Sequence, residues 1–246
     1  VILVADLGGG TSDFSVLRFR RLRGRATAEA LAHTGVGVAG DNFDYRIIDH
    51  VVSPRLGKDA TYMSWGKELA VPRHYFASFS RWNELCLMRR PEVLRELREL
   101  ARTSSSGTAL LSLVDLIEGG VSYELYRAVS HAKAALTDHD SVPFRFKLSG
   151  VDIAGKISRK NFERWIAPDL ERIGATADAA LAKAGLDAKN IDRVFLTGGT
   201  SFVPAVRRLF EQRFPKEKID SGEQLLSIAK GLALIAGSDD MEPWAA

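Results

Sequence analysis

Cysteine is nearly absent from the 246 residues: Cys86 stands alone, so no internal disulfide can staple the chain. It lies in the apolar run ELCLM, which predicts a buried structural thiol and suits a reducing compartment. No apolar run reaches the length of a membrane-spanning helix, so no membrane partner is expected. The first residues carry neither a basic leader nor a small-residue cleavage site, so no signal peptide is expected and a cytoplasmic location is predicted. Charge of one sign is also scarce, the net value being +3, which only slightly favours anionic partners. Arginines do cluster at 18–25 (RFRRLRGR) and 89–102 (RRPEVLRELRELAR), but no nucleic-acid reader motif accompanies them. In the second stretch glutamates alternate with the arginines, as on a solvated helix face, and no nucleic-acid partner is expected. No glycine loop ends in GK[ST], and a strand rather than a helix follows the first one. This excludes a Walker loop and a dinucleotide fingerprint.

What is present is enough apolar material, 46% of residues, to build the core of one large domain or two small ones. VILVA at 1–5 and the alternating residues 13–20 read as strands, and 25–34 returns as a third after a turn at Gly24. DNFDYRIIDHVV then places Phe43, Ile47, Ile48 and Val51 on one helical face. The stretch 53–125 is less regular and rich in aromatics, with helices expected at 81–90, 91–103, 108–118 and 122–136 and a loop at TSSSG, 103–107. PFRFKLSG at 143–150 alternates as a half-buried strand. A long helix capped by Ser158 runs to Gly185. IDRVFLTGG is a strand and turn, Pro204 opens the next helix, and EQLLSIAKGLALIAG forms a last one.

Three glycine turns bear on chemistry. In DLGGGTSD, Gly8, Gly9 and Gly10 would let backbone N–H groups approach an anion, and Thr11 adds a hydroxyl. Asp6 and Asp13, at the ends of adjacent strands, could hold Mg²⁺ through its waters. A hairpin whose glycines supply positive φ and whose aspartates bond the turn explains the same residues equally well. FLTGGTSFVPAV closes a strand with Gly198 and Gly199 directly before a helix, with Thr200 and Ser201 able to cap it. The third, GVGVAGDNFD, sets Gly40 and Asp41 ahead of a helix. Together the three could line one cleft.

DLGGGTSD, AGDNFD, YRAVSHAKAALTD and LTGGTSFVPAVRRLF, in this order, resemble the ATPase domain of the 70-kilodalton heat-shock chaperones, within the actin-like ATPase superfamily. The resemblance touches nearly the whole chain. It implies an α/β, ribonuclease H-like lobe: a mixed sheet with flanking helices and an inserted α-rich subdomain. Residues 1–52 and 138–246 would form the core and 53–137 the mostly helical insertion. It implies ATP and Mg²⁺ as ligands. Asp6 matches the aspartate of the magnesium–water cluster, Gly8, Gly9 and Gly10 the phosphate turn, Thr11 the threonine near the γ-phosphate, and Asp13 the acidic residue near the attacking water. Gly40 and Asp41 match a glycine and a glutamate beside the ribose. Lys133 matches the adenosine-side lysine and Thr137 a serine near the base. Gly198, Gly199 and Thr200 match the adenosine motif, and Glu223 an aspartate bordering the adenine pocket.

The departures fall on the adenosine side. Ser130 stands where a glutamate is expected, Ala134 replaces an arginine, and Phe202 replaces the arginine that stacks on the base. Phe202 is either a core or staple residue at a helix start or a stacking surface with fewer polar contacts. The first lobe's DLGTTNS-type loop is not found, so the chain reads as the second lobe, working with a first lobe in cis or in trans. The enlarged 53–125 stretch is similar to that of short bacterial chaperone-like relatives without a peptide-binding domain. The leading expectation is a chaperone-like ATPase whose lobes close on nucleotide, autonomous hydrolysis not being expected of this lobe alone. A small-molecule kinase of the same superfamily, and a non-catalytic module using 53–125 to bind a client or partner protein, are the alternatives.

Overall fold

The computed structural model describes residues 1–22, 25–80, 87–148 and 150–220, and only the backbone of residues 21, 22, 25 and 26. The chain divides into two compact units, Val1–Gly40 with Pro168–Ala246, and Asp41–Ala167.

The first unit is built on a mixed sheet. Among the described residues it has five strands in the order β3-β2-β1-β8-β9. Strand β1 (Ile2–Leu7) pairs antiparallel with β2 (Ser12–Leu22), which pairs antiparallel with β3 (Arg25–Val36). On its other side β1 runs parallel to β8 (Arg193–Thr197), itself parallel to β9 (Ile219–Asp220). Alternation along β1 buries Leu3, Ala5 and Leu7, and Phe14 and Val16 continue that core on β2. Helices cover the sheet. The Phe14 ring meets Phe210 of α7 (Pro204–Glu211) at 6.3 Å, and Thr34 of β3 donates to the Thr176 carbonyl of α6 (Arg159–Lys183). A bidentate pair from Arg213 to Asp178, at 2.9 and 3.0 Å, ties the segment after α7 to α6.

Helix α6 begins as predicted, with Ser158 Oγ accepting the Asn161 N–H at 3.2 Å. It ends at Gly185, whose φ of 66° allows a Schellman pair, Leu186 N–H to Leu181 O and Gly185 N–H to Ala182 O.

The second unit is the α-rich part. Helix α1 (Gly40–Ile47) is shorter than the expected 41–52. The chain continues as a π-helical turn, Ile48–Val52, and a 3₁₀ turn, Ser53–Leu56. Ile47, Ile48 and Val52 are all buried across this change of winding. A short helix, α2, spans His74–Ala77. Pro91 opens α3 (Pro91–Thr103), after Arg90 held extended at ψ 135° as a residue before proline must be. The next helices, α4 (Gly107–Gly119) and α5 (Ser122–Ala135), fall where the periodicity puts them.

Two hairpins depart from the sequence expectation. The first joins β4 (Thr61–Ser64) to β5 (Lys67–Ala70). The second pairs β6 (Ser141–Leu148), which the alternation predicts, with β7 (Val151–Ser158), which it does not. The β4–β5 turn puts Trp65 at φ 50° and Gly66 at φ 74°, the two positive values of a type I′ turn. Trp65 is fully exposed there. Of the other aromatics of this stretch, Tyr75, Phe76 and Phe79 are buried in the core while Tyr123 is exposed. The mixed sheet, flanking helices and additional α-rich subdomain are those implied by the resemblance to an actin-like ATPase lobe. The turn at Gly24, residues 81–86 with Cys86, and the last helix with Glu223 lie outside the described residues.

Candidate functional site

The hairpin loop 8–11 closes on itself through Gly8 N–H to Thr11 O, at 3.0 Å. Gly9, Gly10 and Thr11 are exposed, which leaves the loop's outer side open. The Gly8 carbonyl is the meeting point of all three glycine turns. It accepts the Thr200 hydroxyl at 2.6 Å and the Gly40 N–H at 3.4 Å. Buried Ser12 adds a further tie, donating to the Val38 carbonyl at 2.7 Å. Thus DLGGGTSD, GVGVAG and TGGTSF are held together by hydrogen bonds, all within the first unit.

Asp6 and Asp13 lie directly opposite each other in the β1–β2 register. Directly opposed residues share a face with Cβ atoms about 5 Å apart, and like charges so placed are destabilising. Each carboxylate leans away over a glycine. A Cβ on Gly35 would come within 2.4 Å of Asp13 Oδ1, and one on Gly198 within 3.1 Å of Asp6 Oδ1. His33 Nε2 stands 3.9 Å from Asp13 Oδ1, its Nδ1 being 3.1 Å from Ser15 Oγ.

The arrangement suits a phosphate with a hydrated divalent ion. An opposed acidic pair is unfavourable without a cation, and glycines next to an exposed loop let an anion approach the backbone. Among the described residues no three His, Cys, Asp or Glu side chains cluster as a metal cage. Two carboxylates match an ion that keeps most of its water.

In the TGGTSF turn, Gly198 takes φ 83° and Ser201 Oγ donates back to its carbonyl at 2.6 Å. No atom outside its chain neighbours lies within 4 Å of where a Gly199 Cβ would stand. Phe202, just before the start of α7, is 45% exposed, so it is not a core residue.

In the second unit, Lys133 Nζ of α5 donates to Asp44 Oδ2 of α1 at 2.9 Å. Thr137, just past α5, is half-buried, and its carbonyl accepts Arg159 Nη2 at 3.2 Å. Asp41 is exposed in the first turn of α1.

The family described as Hsp70 protein matches residues 117–240, half of the chain. The chain belongs to the Hsp70 family. It is 29% identical over 237 residues to a chaperone protein HscA homolog of Shewanella denitrificans. It is 28% identical over 240 residues to chaperone protein HscA of Escherichia coli O9:H4. Each alignment covers 96% of this chain but 28% of the relative, so the chain spans little over a quarter of the length of the HscA proteins it matches. A heat shock protein homolog of Saccharomyces cerevisiae is 30% identical over 125 residues, 50% of this chain and 18% of that protein.

For this Hsp70-family chain the sequence locates the residues of the loop but not what positions them. Gly35 escapes a sequence reading, and so does Asp44, although Asp44 closes the AGDNFD motif. Burial pushes the Asp44 carboxyl up to about 6 against the opposing pull of Lys133. Unfolded, it would titrate near ~3.9. Between those values the native chain holds a proton that the unfolded chain has released, so stability falls as pH rises through the window. The loss is complete above about pH 6 and amounts to roughly 2–3 kcal/mol. Asp44→Asn should therefore gain that much on the wild type between about pH 4 and about pH 7, read from urea midpoints. A constant difference between the two proteins would refute the assignment.

Proposed function

We propose that the chain is the ATP-binding second lobe of an Hsp70-like ATPase that uses nucleotide-dependent lobe closure with a first lobe in cis or in trans. The observation that carries this reading is the Gly8 carbonyl, on which the phosphate loop, the Gly40 turn and the adenosine motif converge through Thr200 and Gly40. The backbone of Gly8, Gly9 and Gly10 and the Thr11 hydroxyl would donate to phosphoryl oxygens. Asp6 and Asp13 would accept from metal-bound water, and Asp13 would lie near the attacking water. Mg²⁺, when bound, would neutralise charge on the phosphates. Gly198, Gly199 and Thr200 would receive the adenosine with Phe202 stacking on the base, and Asp41, Lys133, Thr137 and Glu223 would serve ribose and base. Among the described residues no helix is long and apolar enough to cross a membrane, and a cytoplasmic location is part of the proposal.

Calorimetry with ADP tests it. Binding should require Mg²⁺ and be weak, because half of the phosphate-side donors would belong to the first lobe. Magnesium-independent binding, or none even with the first lobe supplied, would sink the proposal.

One observation favours a second reading, an interaction module using 53–125. Trp65 is fully exposed at a φ where glycine or asparagine costs less. A partner held equally well after Asp6→Asn and Thr11→Ala together would support that reading against the first.

A further inference from the structure

Asp44 is an unusual member of an ion pair. Only 7% of it is exposed, and while Oδ2 receives Lys133 Nζ at 2.9 Å, Oδ1 is buried with no hydrogen-bond partner among the described residues. A carboxylate oxygen left unbonded away from water is costly, and apolar residues of similar volume commonly stabilise such a place better. Stability alone therefore does not account for an aspartate here. What the pair does provide is a fixed position for the end of a long, rotamer-rich side chain. Asp44 sits on α1 and Lys133 on α5, so the contact is made between two helices of one unit and is not a local turn feature.

The adenosine side gives that fixed position a use. With serine at 130 and alanine at 134, Lys133 is the one cation remaining at those three positions of α5. A lysine that acts without charged neighbours at 130 and 134 gains from being held in place beforehand, since the ordering cost is then met in folding and not on binding.

We propose that Asp44 is a positioning residue, which holds the Lys133 ammonium where it meets the adenosine moiety of a nucleotide. The inference rests on the nucleotide reading above and adds to it a residue that acts only through Lys133. It also makes recognition of adenosine dependent on pH. The titratable groups that act on Asp44 among the described residues are Lys133 and Tyr126 of α5 and Asp41 of its own helix. Of these, only Lys133 favours the ionised carboxylate. As Asp44 takes up a proton the charge that holds the ammonium is lost, and adenosine binding should weaken while phosphate binding does not.

The experiment has two arms on the full chain. In the first, carboxyl-detected NMR follows Asp44. Its midpoint should lie near 6, and Lys133→Met should raise it by about one pH unit. A midpoint in the ordinary carboxylate range, or one that Lys133→Met leaves unmoved, overturns the pair whatever nucleotides do. In the second, calorimetry compares Mg·ADP with Mg·tripolyphosphate. Asp44→Asn should raise the Kd for ADP roughly tenfold and leave tripolyphosphate unchanged. Combining it with Lys133→Met should cost no more than Lys133→Met alone. Wild-type ADP affinity should fall between about pH 7.5 and about pH 5.5, and that of Asp44→Asn should not. Equal ADP affinity in Asp44→Asn and wild type overturns the positioning role, as does an equal loss for both ligands. If wild type binds neither ligand, the nucleotide reading fails and takes the positioning role with it, while the first arm still reports whether the pair exists.

Discussion

Gly198→Ala should cost roughly 3–4 kcal/mol of stability, a large share of what a domain of this size has. Two independent causes add. The backbone sits at φ 83°, which an L side chain adopts only under strain, and the new Cβ would stand 2.3 Å from the Leu7 carbonyl oxygen. That oxygen is backbone of β1 at its pairing with Ser12, so it cannot retreat as a flexible side chain would. Two neighbours serve as controls. Gly199→Ala meets no atom within 4 Å beyond its chain neighbours and should change stability by less than about 0.5 kcal/mol. Gly35→Ala would press on Asp13 Oδ1 at 2.4 Å, a side-chain atom that can rotate, so stability should hold while the carboxylate is displaced. Urea denaturation of the three variants checks the order. A Gly198→Ala protein as stable as Gly199→Ala would show that the β1–β8 junction is looser than described.

Asp6→Asn should stabilise the ligand-free chain and abolish its magnesium response. The aspartates face each other across β1 and β2, and removing one charge relieves a repulsion worth about 0.2–1 kcal/mol. For a chain of this length that is a rise of about 0.4–4 °C in Tm. Under the proposed function the same change removes one of two anchors for a hydrated cation, so Mg·ADP should bind at least about tenfold more weakly, and EDTA should make no further difference. Opposite signs for stability and binding mark a site that trades one for the other. Thermal melts with and without Mg²⁺ provide the measurement. A variant that melts lower than wild type without metal, or one that keeps its magnesium dependence, would refute the role given to Asp6.

How legible these features are in the sequence follows from their physics. Strands β1, β2 and β8 and helices α3 to α7 carry their signals locally, in alternation, in Pro91 and Pro204 at first turns, and in Gly185 at an end. The β4–β5 hairpin is hidden because Trp65 occupies the first turn position, where an asparagine or glycine would have announced it. Strand β7 is hidden by the helix signal that begins at Ser158, although Gly150 and the alternation of Val151 with Ile153 are available. At the site, the DLGGGTSD residues can be read directly. Gly35 and Asp44 cannot, because each matters through one contact with a residue far away in sequence, Asp13 and Lys133 respectively.

The β2–β3 ladder has a register shift between Val16 and Leu17, and β1 reaches no farther along β2 than Leu17. Beyond that point two strands continue as a ribbon, with no third strand beside them among the described residues. An uncovered ribbon is an invitation to pair with a second molecule, and charge is the usual deterrent. Arg18 and Arg20 stand there, sharing Glu29 at 3.5 and 3.9 Å. Of the arginine cluster that first raised the question of a nucleic-acid partner, Arg18 and Arg20 thus have a use that needs no ligand, as charges of the kind that discourage strand pairing between copies.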